Sequence, residues 1–448
     1  MITLKRHFLL FPLLIPAIVL ALAACGRTPR PAGDADSALV VVDTLELHYA
    51  RGFRVRTLAN GVRLVDVADP QADEDRMPVS YHFALMPTDS APVPSSYTPV
   101  HVPIDRTIVM TMLQLSNFTA LDALDVVRGI TGTKNLFNKD VRARVDDGRI
   151  VKIGMEGNFD TELILAAQPE VIFISPFKRG GYDAIKETGI TLIPHLGYKE
   201  LHPLGQAEWV KFVGLFLGKE HEADSLFAQI EERYNGLKEK TQSLSAERGE
   251  AGAMKSSGNE TLPPTGGAGE GLPTGGAGKG LPTGGAGEGL PTGGAGEGLP
   301  TGGAGEGLPT VFSGEMHGGN WYAVGGRSAL AQLFRDAGAD YVIKDGNTGG
   351  VNIEFEQLYA AAAEADYWRI LNSYPGDFSY EALEASEPRN KLFRAFRERK
   401  VIYCNMKQTP YYELSPMQPD VLLADLIAIF HPALMPQDYQ PTFYQLLR

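Results

Sequence analysis

The spacing of apolar residues changes period several times along this chain, and each change marks an element. An unbroken apolar run, FLLFPLLIPAIVLALAA, follows the basic residues Lys5, Arg6 and His7. Between residues 44 and 100 apolar and polar positions alternate, as in LHYARGFRVRTL and VRLVDVA. Asn60-Gly61 separates these two runs, which predicts a β-hairpin. From Arg106 the pattern becomes short apolar runs between segments of helical spacing. TIVMTM, VIFIS and TLIPH read as buried strands, and LQLSNFTALDAL, TELILAAQ and GYDAIKETG as helices. A long helix is predicted from Gln206 to Leu244. Trp209, Phe212, Val213 and Phe216 form its first apolar stripe, and Leu226, Ile230, Tyr234 and Leu237 its second.

A nine-residue repeat, GLPTGGAGE, then interrupts the pattern, with Leu272, Leu281, Leu290, Leu299 and Leu308 in equivalent places. The alternation resumes beyond it. TVFSG, DYWRILNS and KVIYCNM read as strands, and SALAQLFRDAG and FEQLYAAAAEA as helices. Two short helices run up to Glu398, and a closing helix spans Asp420 to Phe430. Strands alternating with helices imply parallel sheets with right-handed crossovers. The fold class expected is α/β, with two small α/β lobes joined by one long helix.

The repeat fits neither known glycine-rich architecture. A calcium-binding β-roll needs Asp at the sixth position and a large apolar residue at the eighth, where this chain has Gly271 and its equivalents, then Pro. Collagen needs Gly at every third residue. One Leu per nine residues buries no core, and glycine is costly to order. Residues 246–309 are therefore expected to be a disordered insert at the seam between the lobes. The other expected boundaries are a signal peptide over 1–24, a flexible tether over 25–43 and a small β-rich extension over 44–103. The N-terminal lobe follows over 104–205, the interlobe helix over 206–245 and the C-terminal lobe over 310–448.

Composition adds limits. The 448 residues suffice for two or three domains. The formal charge of -13 argues against nucleic acid, whose affinity comes from Lys and Arg neutralising phosphates. The N-terminal apolar run ends in LAAC at Cys25, and a basic start, an apolar core and small residues describe an export signal. The LAAC ending resembles the bacterial lipobox, which implies that the Cys25 thiol carries lipid. The alternative is an uncleaved anchor, for which Phe8–Ala24 is near the lower length limit. Cys404, in the strand-like KVIYCNM, reads as a buried inert thiol. No G-x-S-x-G, H-E-x-x-H or P-loop lysine is present, so no catalytic residues are expected and the chain does not read as an enzyme.

With these elements and motifs in place, the chain resembles the substrate-binding lipoproteins of ABC importers for iron-siderophores, haem and cobalamin. The likeness rests on TELILAAQPEVIFIS, GNWYAVGGRSALAQLFRDAGADYV, FEQLYAAAAEADYWRI and YYELSPMQPDVLLADLIAIFHP, in that order and with the lipobox. It covers about Ile104 to Ser245 and Pro309 to Arg448. It implies a ligand cleft between the lobes, a location at the cell envelope facing the periplasm, a lipid anchor, ABC permease transmembrane subunits as partners, and a monomer. It also implies that Glu162 and Glu356 dock into basic pockets of the permease, one from each lobe. No cofactor is expected; the transported ligand would be an iron chelate, haem or cobalamin.

Ligands of open parallel sheets bind beyond the carboxyl ends of strands. The residues found there are Phe177, Lys178, Arg179 and Tyr182 after VIFIS, and Tyr198 and His202 after TLIPH. In the second lobe they are His317, Trp321 and Tyr322 after TVFSG, Tyr374 after DYWRILNS, and Lys407, Tyr411 and Tyr412 after KVIYCNM. Aromatic area with Lys and Arg suits a large planar or chelate ligand with negative groups. His202, His317 or a Tyr are candidate axial ligands to haem iron. Two other readings stay open: a surface adhesin or scaffold displaying the repeat, and a binder of a bare divalent metal ion.

Overall fold

In the computed structural model, residues 39–72, 80–88, 91–132, 136–155, 158–176, 182–256 and 307–448 are described. Cys25, Phe177, Lys178, Arg179 and residues 257–306, which hold most of the repeat, lie outside them. The chain opens with a five-stranded sheet, β1 (Val41–Thr44) to β5 (Thr98–His101), in sequential order. Within it β2 (Phe53–Leu58), β3 (Arg63–Val67) and β4 (Tyr81–Met86) pair antiparallel, and β4 pairs parallel with β5. The predicted hairpin turn is present. Gly61 has φ +81°, and the Asn60 side chain accepts from the Val62 N–H, which pins the turn locally.

Two buried carboxylates hold this extension to the body. Glu208 accepts from the backbone N–H of His48, Tyr49 and Ala50 at 2.8–2.9 Å. Glu200 accepts from the N–H of Arg51 and Gly52 and from Nε1 of Trp209. A Cβ at Gly52 would stand 2.7 Å from the Trp209 ring, so only glycine lets the chain pass so close.

The first lobe is a parallel sheet of β6 (Thr107–Val109), β7 (Val127–Ile130), β8 (Val151–Lys152), β11 (Val171–Ile174) and β12 (Thr191–Pro194). Strands β9 (Gly154–Met155) and β10 (Asn158–Phe159) pair separately. Its spatial order is β12-β11-β6-β7-β8, so the chain starts in the middle and winds outward both ways. Strand β11 is buried at every position, as its apolar run requires. Helix α1 (Met112–Ala120) starts with a capping box in which Thr111 and Gln114 satisfy each other's backbone N–H groups. Helix α2 (Lys139–Asp146) is capped by Asn138, and α3 (Thr161–Ala166) by Asp160; α4 (Asp183–Lys186) is a single turn.

The helix expected as one element from Gln206 to Leu244 is two. Helix α5 (Pro203–Leu217) ends at Gly218 in the left-handed region, φ 65° and ψ 30°, and α6 (Glu220–Ser256) follows. Tyr234 on α6 lies 5.8 Å from His202, the cap of α5, so α6 folds back along α5. A Cβ at Gly214 would meet that of Ala223 at 2.8 Å, which explains a glycine where the helices cross closely. The two apolar stripes do point inward, but into a hairpin, because a left-handed glycine ends a helix and reverses the chain. Helix α6 reaches from the extension to the second lobe. Its Phe227 packs beside Tyr49 of the extension, whereas Tyr234, Lys238 and Thr241 reach Asp336 of the second lobe.

The second lobe has the sheet order β16-β13-β18-β19-β20, from β13 (Thr310–Ser313), β16 (Asp340–Tyr341), β18 (Tyr367–Asn372), β19 (Val401–Asn405) and β20 (Gln445–Leu446). All neighbours are parallel except β19 and β20. A three-stranded sheet not expected from the sequence, β14 (Glu315–His317), β15 (Asn320–Val324) and β17 (Gly350–Ile353), covers one end. The helices are α7 (Ala329–Asp336), α8 (Phe355–Ala362), α9 (Tyr380–Ser386), α10 (Arg394–Arg397), α11 (Tyr411–Leu414) and α12 (Pro419–Phe430). Among the described residues no helix is long and apolar enough to cross a membrane.

Candidate functional site between the sheets

Both sheets have a switch point, where successive connections leave a central strand in opposite directions. In the first lobe it lies beside β6, in the second beside β13. Crevices at such points, at the carboxyl ends of strands, are where open α/β sheets take ligands. Helix α1, which leaves the carboxyl end of β6, packs on α11, which leaves the carboxyl end of β19. The Glu413 carboxylate on α11 accepts from the N–H of Phe137 and Asn138 at 2.6 and 2.7 Å. The carboxyl edges of the two sheets therefore face each other.

Among the described residues, neutral side chains bond this edge on the first lobe. Gln114 Nε2 donates to Ser175 Oγ at 3.0 Å, while its Oε1 accepts from the N–H of Met110 and Thr111. Thr131 Oγ1 donates to the Met110 carbonyl.

On the second lobe the edge carries a partly buried carboxylate. Gly314 ends β13 with φ +105°, and a Cβ there would fall 1.9 Å from the Tyr322 carbonyl oxygen. This glycine brings Glu315 to the edge of the sheet. Asn372 Nδ2 donates to Glu315 Oε1 at 3.0 Å, and Asn372 Oδ1 accepts from Tyr403 Oη at 2.9 Å and from the Tyr374 N–H. Burial raises the Glu315 pKa to about 7, although Asn372 and Arg369 both favour its ionised form. Arg369 is buried and turned to Tyr444, whose hydroxyl lies 2.6 Å from its Nη2. Neither Glu315 nor Asn372 is among the residues picked from the sequence. The signal was there: Glu315 directly follows the TVFSG strand, beside Met316 and His317.

The residues that were picked divide three ways. Phe177, Lys178 and Arg179 lie outside the described residues, at the carboxyl end of β11. His317, Tyr322, Lys407 and Tyr412 are exposed, and Tyr198, Tyr374 and Tyr411 partly so. Tyr411 Oη lies 3.0 Å from Tyr444 Oη, and the Tyr374 ring packs on Phe378. The other three are structural.

Trp321 has no exposed surface. Its ring lies among Phe312, Phe393 and Trp368, with Nε1 donating to the Ser313 carbonyl. Strand alternation in β15 turns it inward, so it is core and not cleft. Tyr182 is buried against Phe159 and donates to the Ser175 carbonyl. His202 caps α5 through Nδ1, which accepts from the Leu204 N–H; its ring stacks on Tyr49 and its Nε2 lies 3.7 Å from Asp336. Burial lowers its pKa to about 4. A ring engaged on both nitrogens and on its face is a poor iron ligand. Burial likewise pushes the Cys404 thiol up to about 11, as expected of an inert core cysteine. Among the described residues no three His, Cys, Asp or Glu side chains converge as a metal site.

Glu162 and Glu356 occupy matching places. Each is the second residue of a helix that leads into a buried strand, α3 before β11 and α8 before β18, and each is exposed. Their surroundings differ. Glu162 shares a surface hollow with Lys152, Phe159 and Asp160, whereas Glu356 lies 3.4 Å from Arg389.

Residues 111–262 match the periplasmic binding protein family. An uncharacterized lipoprotein of Methanocaldococcus jannaschii is 23% identical over 372 residues, 78% of this chain and 72% of that one. A second uncharacterized lipoprotein of the same organism is 28% identical over 107 residues, 23% of this chain and 27% of that one. A periplasmic haem-binding protein from Pseudomonas aeruginosa, of known crystal structure, superimposes with a TM-score of 0.50 at 15% identity. It covers 77% of this chain and 98% of its own.

Proposed function

We propose that this chain, whose α/β fold is that of the periplasmic binding proteins and resembles the importer-associated lipoproteins, captures an iron-siderophore, haem or cobalamin-type ligand between its lobes and delivers it to an ABC permease. One observation carries the reading: two doubly wound sheets present their switch-point edges to each other, bridged by Glu413 on the backbone of Phe137 and Asn138. Exposed His317, Tyr322, Lys407 and Tyr412 form the second lobe's side of the seat, with Tyr198, Tyr374 and Tyr411 partly open to it. Phe177, Lys178 and Arg179 supply the first lobe's side by their place in the sequence. Lipid on Cys25 holds the protein at the cell envelope, and Glu162 and Glu356 dock the permease. The haem named for the Pseudomonas protein makes haem one ligand worth testing.

The test is to express the protein without residues 1–25 in medium supplying ferric siderophore, haem and cobalamin, and to identify what co-purifies by mass spectrometry and absorbance. One of the three should be retained at about one per chain. A folded protein that retains none, and binds none when titrated, would overturn the proposal.

A further inference from the structure

The buried carboxylates of this protein are, with few exceptions, saturated with donors. Glu208 accepts three backbone N–H groups, and Glu200 two with an indole N–H. Asp425 accepts from Tyr439 Oη and the N–H of Thr442, Phe443 and Tyr444. Asp336 takes Tyr234 Oη, Gln332 Nε2 and Lys238 Nζ. A carboxylate has about four acceptor positions, and filling them offsets the cost of burial. Glu315, only partly buried, stands at the carboxyl edge of the second sheet with fewer protein donors than these. Among the described residues its one hydrogen-bond donor is the Asn372 amide, and its Oε2 takes none. The nearby cation, Arg369, is directed to Tyr444 instead. The other ionisable groups around it are the hydroxyls of Tyr403 on β19, Tyr374 beyond β18 and Tyr322, opposite it in register on β15, with His317 two residues along its own strand. None of the three hydroxyls supplies a positive charge.

We infer that Glu315, held by Asn372 and Tyr403, is the ligand-recognising carboxylate of the second lobe, and that it receives a protonated nitrogen carried by the ligand. This rests on the reading of the chain as a binding protein and narrows it to chelates or macrocycles bearing an ammonium or a similar N–H cation. A cation on Glu315 favours the ionised carboxylate.

The test uses the full chain in detergent and isothermal titration calorimetry. The probes are a ferric trihydroxamate with one free primary ammonium, the same chelate N-acetylated, an anionic ferric tris-catecholate, and haem. The ammonium chelate should bind about tenfold or more tightly than its acetylated form at pH 8. Glu315→Gln should abolish that preference. The comparison of the free and acetylated hydroxamates on the wild type decides even if Glu315→Gln fails to fold. Equal binding of the two hydroxamates, or a preference that survives Glu315→Gln, would overturn the inference. Binding of haem or the catecholate alone, indifferent to Glu315→Gln, would overturn it while leaving the binding-protein reading intact. Binding of no probe would overturn both.

Discussion

The Arg389 guanidinium stands 4.0 Å over the ring of Phe355 and reaches the neighbouring Glu356 carboxylate at 3.4 Å, while Glu387 holds its Nε. Glu356 is thus partnered within its own lobe. Glu162, its counterpart, is exposed and has no ion pair among the described residues.

The two glutamates should therefore contribute unequally to docking. Glu162→Arg places a like charge against a basic pocket and is expected to abolish uptake, with ligand affinity unchanged. Glu356→Arg should reduce uptake less, because Arg389 already screens that carboxylate. Transport in reconstituted vesicles, with binding measured in parallel, checks both; full uptake by the double variant would refute the docking role.

His202 gives stability a pH dependence of known sign. Its pKa is lowered in the fold, so the unfolded chain takes up a proton before the folded one does. Its contribution is complete above pH 6.5 and is lost as pH falls from 6.5 towards 4. His202→Asn keeps a capping side chain but removes the titration. The difference in unfolding free energy between wild type and variant should change by up to about 1.4 kcal/mol per pH unit in that window. Urea unfolding at pH 7, 6, 5 and 4 measures it, and a pH-independent difference would contradict the assignment.

Glu208→Ala leaves the N–H groups of His48, Tyr49 and Ala50 without their acceptor. Each buried orphan costs about 1–3 kcal/mol, so the variant should lose several kcal/mol or release the extension. Protease cutting near residues 48–52 separates the two outcomes, and an unchanged denaturation midpoint would show that the clamp is dispensable.

Trp209, Trp321 and Trp368 are all fully buried. Tryptophan emission should be blue-shifted and weakly quenched by acrylamide. A colourless ligand should change it little, whereas haem should quench it by energy transfer. Strong quenching by a colourless ligand would mean that a lobe opens on binding.

The alternation of strand and helix was legible from TIVMTM onward because buried parallel strands are short and apolar, and the turn at Asn60-Gly61 because two adjacent residues specify it. Gly218 was visible as a gap in the stripe of α5 and α6. Its left-handed backbone, which turns a strut into a hairpin, was not. Trp321 was misread because its neighbours His317 and Tyr322 are exposed, although the alternation in NWYAV already sends it inward. Glu315 was missed because a carboxylate is ordinary in sequence. It becomes unusual only once the fold shows how few donors surround it.

The clamp on residues 48–52 also has a mechanical meaning. For a chain tethered at Cys25, tension enters at β1, an edge strand exposed along its whole length and joined to the body by one antiparallel ladder. The next load falls on the Glu208 and Glu200 carboxylates, which grip five consecutive residues against α5 and the Trp209 ring. Pulled from its N-terminus, the protein should yield first at β1, at low force, and then resist. The N-terminal edge would then give way before the two lobes, and a single high-force rupture in a pulling experiment would rule this out.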